Sequence, residues 1–148
     1  MATVNPYLMF DGNCKEAFEF YKNAFGKDFA DINYFGDMPP QEGMPPLSDE
    51  QKNRVMHVRL EISKETILYG SDVLPGTHGF SHGNNFSISI NADSRVETEN
   101  LFNKLSEGGV VTMPLEDTFW GAYFGMWKDK FGIDWMVNYD DPTKVQSN

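Results

Sequence analysis

The order strand, capped helix, strands occurs twice in this chain, about 80 residues apart, and this repeat limits the folds that the chain can adopt. In the first copy, residues 4–10 (VNPYLMF) are apolar and aromatic, which is typical of a strand. Asn13 and Glu16 then resemble a capping box, and apolar residues follow at helical spacing until Gly26. Further strands are predicted at 30–35, 55–62 and 66–71.

The second copy begins with a predicted strand at 85–91, followed by Ser94 and Glu97 as a capping box. The helix after it ends at Gly108-Gly109. The later strands are predicted at 110–113, 123–128 and 134–139. The pattern therefore predicts an α+β fold in which one domain, 1–148, contains two βαβββ modules, at about 4–72 and 85–139, with a linker at 73–84.

Charge and composition exclude several classes of protein. The 22 acidic and 12 basic residues give a net charge of −10, which argues against binding to nucleic acid or to an anionic membrane surface. A single cysteine, Cys14, excludes an intrachain disulfide and a cysteine-based zinc site. Since no apolar run is long enough to span a membrane and residues 1–5 do not resemble a secretory signal, we expect a cytoplasmic protein.

Short segments along the chain carry a resemblance to a known family. They are NPYL (5–8), EAFEFY (16–21), MHV (56–58), LYGSD (68–72), FWG (119–121) and DKFGIDWMV (129–137). In this order they resemble the PhnB-like proteins of the glyoxalase/bleomycin-resistance/extradiol-dioxygenase (vicinal oxygen chelate, VOC) superfamily. The resemblance implies two βαβββ modules whose curved mixed sheets surround a cup, with the helices on the outer face. It also implies a homodimer.

In the catalytic branches of this superfamily, a divalent metal in the cup holds two oxygens of the substrate. The resemblance places the four ligand positions at Asn5 or Pro6, Tyr69, Asn85 and Met136. None of these residues is His, Glu or Asp, so it predicts no cofactor and no metal ligand unless the alignment is shifted.

Strand alternation suggests further candidates for the site. His57 lies on the polar face of its strand with Arg59 and Glu61, and an imidazole there is a candidate general acid or base, with Glu61 as a second catalytic candidate. The alternatives are a structural histidine, and Arg59 and Glu61 side chains that are either solvated or paired with each other. We expect a pocket for an uncharged or cationic organic ligand. Its predicted lining is Tyr7, Tyr69, Asn85, Ser87, Trp120, Asp134 and Met136.

Other features favour structural explanations. His78 and His82 are four residues apart, but the glycines around them favour a linker over a metal site. Cys14 lies on the apolar stripe of the first helix, which favours a buried small side chain over a nucleophile. The proline-rich segment 36–53 is predicted to be a lid or a mobile loop without regular structure.

The sequence therefore favours a small-molecule-binding member of the superfamily that lacks the usual divalent-metal site. The alternative is a lyase/isomerase-type or dioxygenase-type enzyme with a displaced metal site or with His57 as general base. No G-x-G-x-x-G or P-loop motif is present, so a nucleotide cofactor has no recognisable binding loop. The methyltransferase label that some PhnB-like proteins carry likewise has no glycine-rich turn to support it here.

Overall fold

The computed structural model describes residues 2–39, 42–43, 45–74 and 79–143, and the chain divides into two compact units, Met1–Phe80 and Ser81–Asn148. Each unit contains one four-stranded mixed sheet. The first unit contains β1 (Tyr7–Phe10), α1 (Cys14–Phe25), β2 (Phe29–Tyr34), a 3-10 turn (Phe35–Asp37), α2 (Asp49–Lys52), β3 (Val55–Glu61) and β4 (Ile67–Asp72). The second unit contains β5 (Ile88–Asn91), α3 (Arg95–Ser106), β6 (Val110–Asp117), β7 (Ala122–Lys128) and β8 (Asp134–Asp140).

The two sheets have the same topology. Their strand orders are β1-β4-β3-β2 and β5-β8-β7-β6. In each sheet the first strand pairs in parallel with the last, and the other neighbours are antiparallel. The predicted α+β class and the two βαβββ repeats are therefore confirmed. None of the helices in the described ranges is both long and apolar enough to cross a membrane.

In the first unit, α1 covers one face of the sheet. Its buried residues Ala17, Phe18 and Tyr21 pack toward β3 and β4. Gly70 lies on this face, and the Phe18 ring occupies the space where a β-carbon would stand. Side chains that alternate with the buried ones therefore lie on the opposite face of this sheet, which we call the far face.

In the second unit, α3 covers its sheet in the same way. Phe102 stands edge-on to Trp127 with ring centroids 5.3 Å apart. Trp127 lies parallel to Trp135, with an interplanar angle of 3°. These large rings make up much of the core of this unit, because both tryptophans are about 1% exposed.

The helix ends were predicted with mixed success. Gly26 ends α1 in the left-handed region at φ 66°, as predicted. The Asn13 capping box is wrong, because no side-chain hydrogen bond is made there. Ser94 caps α3 by accepting a hydrogen bond from Glu97 N at 3.0 Å, but the Glu97 carboxylate accepts from Asp93 N and not from Ser94 N.

Segment 36–53 has more regular structure than predicted, apart from residues 40, 41 and 44, which lie outside the described ranges. The 3-10 turn begins at Phe35, and α2 is closed by a capping box between Ser48 and Gln51. The prediction that this segment has no regular structure is therefore wrong. The four prolines suggested a loop, but the Ser-x-x-Gln pattern at Ser48 starts a short helix.

Four strands also differ from their predicted forms. β1 begins only at Tyr7. β5 begins only at Ile88, and β6 continues to Asp117. β3 departs from strict alternation at its start, where Val55 and Val58 are both buried, because the register with β2 shifts between Asn33 and Tyr34.

Candidate functional site

Three predicted site residues meet on the far face of the first sheet. Tyr7, His57 and Tyr69 come from β1, β3 and β4, and we call them the aromatic cluster. The ring centroids are 6.1 Å apart for Tyr7 and His57, 6.1 Å for Tyr7 and Tyr69, and 5.7 Å for His57 and Tyr69. The two tyrosine rings are nearly parallel, with an interplanar angle of 9°.

Strand register brings the cluster together. Tyr7 is the direct partner of Tyr69 in the parallel β1–β4 pair, and side chains of directly paired residues stand on the same face. Tyr7 is 48% exposed, although tyrosine rings are favourable to bury. The cluster therefore offers aromatic surface, two phenol groups and an imidazole to a molecule that contacts this face.

Arg59 borders the cluster, because it pairs directly with Tyr69. Its Nε lies 3.7 Å from Asp31 Oδ2, and its Nη2 lies 3.7 Å from Glu61 Oε1. These distances describe ion pairs without short hydrogen bonds, and Arg59 Nε is buried with no hydrogen-bond partner among the described residues. The structure thus places Glu61 beside Arg59, at the end of β3.

The pocket residues predicted in the second unit are less closely grouped. Asp134 and Met136 lie on the sheet face opposite α3, because Trp135 and Val137 between and beyond them are buried. Lys128 Nζ lies 3.1 Å from Asp134 Oδ1, so this carboxylate is neutralised by a cross-strand partner. Met136 pairs directly with Met126.

The other predicted lining residues lie outside the strands. Asn85 and Ser87 precede β5, so the strand parity that was used to place them does not apply. Trp120 lies in the turn between β6 and β7, is 52% exposed, and stands edge-on to Phe119 with centroids 4.9 Å apart.

The residues at the ligand positions implied by the resemblance do not suit a divalent metal. Asn5 Oδ1 already accepts a hydrogen bond from Ile67 N at 3.0 Å. Pro6 has no donor atom in its side chain, and the thioether of Met136 is a soft ligand. Within the described ranges, no three His, Cys, Asp or Glu side chains are grouped so that they could hold a metal ion.

Two buried aspartates, which the sequence analysis did not identify, stabilise two of the segments that carry the family resemblance. Asp72 Oδ1 accepts hydrogen bonds from Gly12 N at 2.8 Å and Cys14 N at 3.0 Å, and its Oδ2 accepts from Val55 N at 2.8 Å. Asp72, at the end of β4, therefore holds together the β1–α1 turn, the start of α1 and the start of β3. The LYGSD segment thus has a structural function, and its last residue, Asp72, performs it.

Asp129 has the corresponding function in the second unit. Its Oδ1 accepts from Phe131 N at 2.8 Å and Ile133 N at 3.0 Å, and its Oδ2 accepts from Trp135 Nε1 at 2.8 Å. Because Asp129 is 3% exposed, these hydrogen bonds are shielded from water, and they hold the β7–β8 turn in its conformation. The DKFGIDW segment therefore specifies the fold of this turn.

The remaining candidates are accounted for separately. Cys14 is fully buried, and burial, followed by the nearby charge of Asp72, raises the pKa of its thiol. The thiol is thus protonated at neutral pH, which agrees with a packing role. His82 is exposed and lies against Gly132, whereas His78 falls outside the described residues.

Comparisons with known proteins match this architecture. The sequence profile of the family described as 3-demethylubiquinone-9 3-methyltransferase matches residues 2–138. The crystal structure of protein PA1353 from Pseudomonas aeruginosa is 42% identical, with a TM-score of 0.82, over 95% of this chain and 98% of that chain. The PhnB protein from Bacillus cereus is 22% identical, with a TM-score of 0.74, over 93% of this chain and 99% of that chain.

A more distant structure shows the same fold. The glyoxylase/bleomycin resistance protein/dioxygenase domain from Frankia sp. EAN1pec has a TM-score of 0.64 at 9% identity, over 96% of this chain and 94% of that chain. The homodimer and the small organic ligand stay predictions. The profile match, which spans nearly the whole chain, establishes that the chain belongs to the 3-demethylubiquinone-9 3-methyltransferase-like (PhnB-like) family.

Proposed function

We propose that this protein binds a small organic molecule through the aromatic cluster and does not use the divalent metal of the catalytic branches. The observation that carries the proposal is the meeting of Tyr7, His57 and Tyr69 on the far face of the first sheet. Aromatic rings provide large contact areas with little loss of side-chain entropy, because each has only two side-chain torsions.

The neighbouring charges indicate the kind of molecule. Asp31 and Glu61 both lie beside Arg59, so two carboxylates flank one guanidinium at this edge of the cluster. This excess of negative charge favours an uncharged or cationic molecule.

His57 has a second candidate role in the same site. The centroid of its ring lies 6.1 Å from that of Tyr7 and 5.7 Å from that of Tyr69, and an imidazole can act as a general acid or base. If the bound molecule is also converted chemically, His57 is the group that we propose for proton transfer.

Ligand binding can be tested with neutral and cationic aromatic fragments, for example quinoline and phenyltrimethylammonium. We expect at least one fragment of such a panel to shift the backbone amide signals of Tyr7, His57 and Tyr69 in a two-dimensional NMR titration. Tyr69→Ala should weaken its binding by about tenfold, since one aromatic contact is removed.

The control is Phe86→Ala, because Phe86 is also exposed, at 59%, but lies in the other unit. This variant should bind the fragment as the original protein does. Shifts that avoid the cluster, or equal affinities for Tyr69→Ala and the original protein, would show that the cluster is not the binding surface.

The metal prediction has an independent readout. The purified, tag-free protein is incubated with Zn, Ni, Mn, Fe and Co salts, desalted and submitted to elemental analysis. We expect no metal to be retained in stoichiometric amount, because thioether, amide and phenol groups at the implied positions bind these ions weakly. About one ion per chain would instead identify a displaced metal site and favour the enzyme alternative.

A further inference from the structure

The first unit contains a recess that is lined by none of the residues of the aromatic cluster. It has a volume of about 450 Å³ and lies where the start of α1, the end of β2 and α2 come together. Its lining residues are Lys15, Tyr34, Gly36, Asp37, Lys52 and Asn53.

Short helical turns build the wall of this recess. Gly36 approaches α2 so closely that a β-carbon there would lie 3.0 Å from both Lys52 Cβ and the Lys52 carbonyl oxygen. The capping box of Ser48 and Gln51 fixes the start of α2, and Phe35 N donates to Arg54 O at 3.0 Å on the other side. Lys52 therefore projects from a backbone that is held at both ends.

The charges in the recess suggest what it binds. Neither Lys15 nor Lys52 forms an ion pair within the described part of the chain. Asp37 is the one carboxylate of the lining, and its Oδ2 accepts a hydrogen bond from Tyr34 N at 3.0 Å. Two ammonium groups against one carboxylate give a locally positive site in a chain whose net charge is −10.

We propose that this recess binds a small oxyanion, a phosphate or a carboxylate group, between Lys15 and Lys52. Both lysines provide charge-assisted hydrogen bonds. The Tyr34 hydroxyl and the Asn53 amide belong to the same lining and add neutral donors. Lys15 Nζ already lies 5.7 Å from the centroid of the Tyr34 ring, so these two side chains share one wall.

The test is an NMR titration with sodium phosphate and, separately, sodium citrate, each at constant ionic strength maintained with sodium chloride. We expect saturable shifts at the amide signals of Lys15, Gly36, Lys52 and Asn53. The double variant Lys15→Gln/Lys52→Gln should weaken the binding by roughly tenfold or more, because both charge-assisted contacts are lost.

The matched control is Lys27→Gln/Lys64→Gln, which removes the same charge from two exposed positions of the same unit. It should titrate like the original protein. A response to phosphate alone supports a phosphoryl ligand, and a response to citrate alone supports a carboxylate ligand. Shifts that do not saturate, or equal weakening by both double variants, would overturn the proposal.

Discussion

Replacing Asp72 with alanine should lower the free energy of unfolding by about 3–5 kcal/mol. Asp72 is 3% exposed and accepts hydrogen bonds from three backbone N–H groups, those of Gly12, Cys14 and Val55. Alanine would leave the donors of Cys14 and Val55 unsatisfied in buried positions, whereas that of Gly12 is only partly buried. Each such donor costs about 1–3 kcal/mol, and local relaxation recovers part of the sum.

The change can be followed by urea denaturation with circular dichroism at 222 nm. Asp72→Asn should fall between alanine and the original residue, since its amide oxygen can still accept while its NH₂ group cannot. Asp28→Ala is the control, because the Asp28 side chain is 97% exposed, and its effect should be below about 0.5 kcal/mol. Equal effects for Asp72→Ala and Asp28→Ala would contradict the structural role of Asp72.

Replacing Gly70 with alanine should destabilise the protein by about 2–4 kcal/mol or prevent soluble expression. A β-carbon at Gly70 would overlap Phe18 Cε2, lie 2.7 Å from Phe18 Cζ and approach Leu8 O at 3.3 Å. Phe18 is fully buried and packs edge-on to Phe10 and Tyr21, so its ring has no empty space to enter. Either α1 must move off the sheet or the ring must leave its preferred rotamer.

A second substitution separates this overlap from a general intolerance of Gly70. Phe18→Leu removes the two ring atoms that meet the new methyl group, so it should be less harmful in the Gly70→Ala background than in the original protein. A double-mutant cycle of melting temperatures measures this difference. Gly83→Ala is the control, because its nearest neighbour would be Asn85 Oδ1 at 3.8 Å, and it should be near neutral. Strict additivity of Gly70→Ala and Phe18→Leu would contradict the proposed contact.

Local patterns were sufficient to predict the repeat and the principal helices. Apolar spacing and Gly26 define α1, and Ser94 marks the start of α3 through a bond to a residue three positions away. The wrong prediction at Asn13 has a clear reason. The acceptor that replaces it, Asp72, is 58 residues from Cys14, and no local pattern reports so distant a partner.

The candidate site was predictable only in part, for a similar reason. Alternation placed His57 on a polar face, and the resemblance implied a ligand position at Tyr69, but the meeting of these two residues with Tyr7 depends on the β1–β4 and β3–β4 registers. Asn85 and Ser87 were placed by alternation through a segment that is not a strand. The recess around Lys15 and Lys52 lies where the turn at Gly36 closely approaches α2, and no spacing along the sequence indicates that approach.

The two ways of capping the helices have a consequence for the order in which the repeats fold. The N–H of Glu97 finds its acceptor as soon as one turn of α3 forms. The N–H of Cys14 finds its acceptor only after a loop of 58 residues has closed and β4 is in place. Since closing a long loop costs entropy before its contacts form, α3 can nucleate its unit early, whereas α1 is completed together with its sheet. Two repeats with the same topology thus differ in folding route, because the acceptor at the helix start is three residues away in one repeat and 58 residues away in the other.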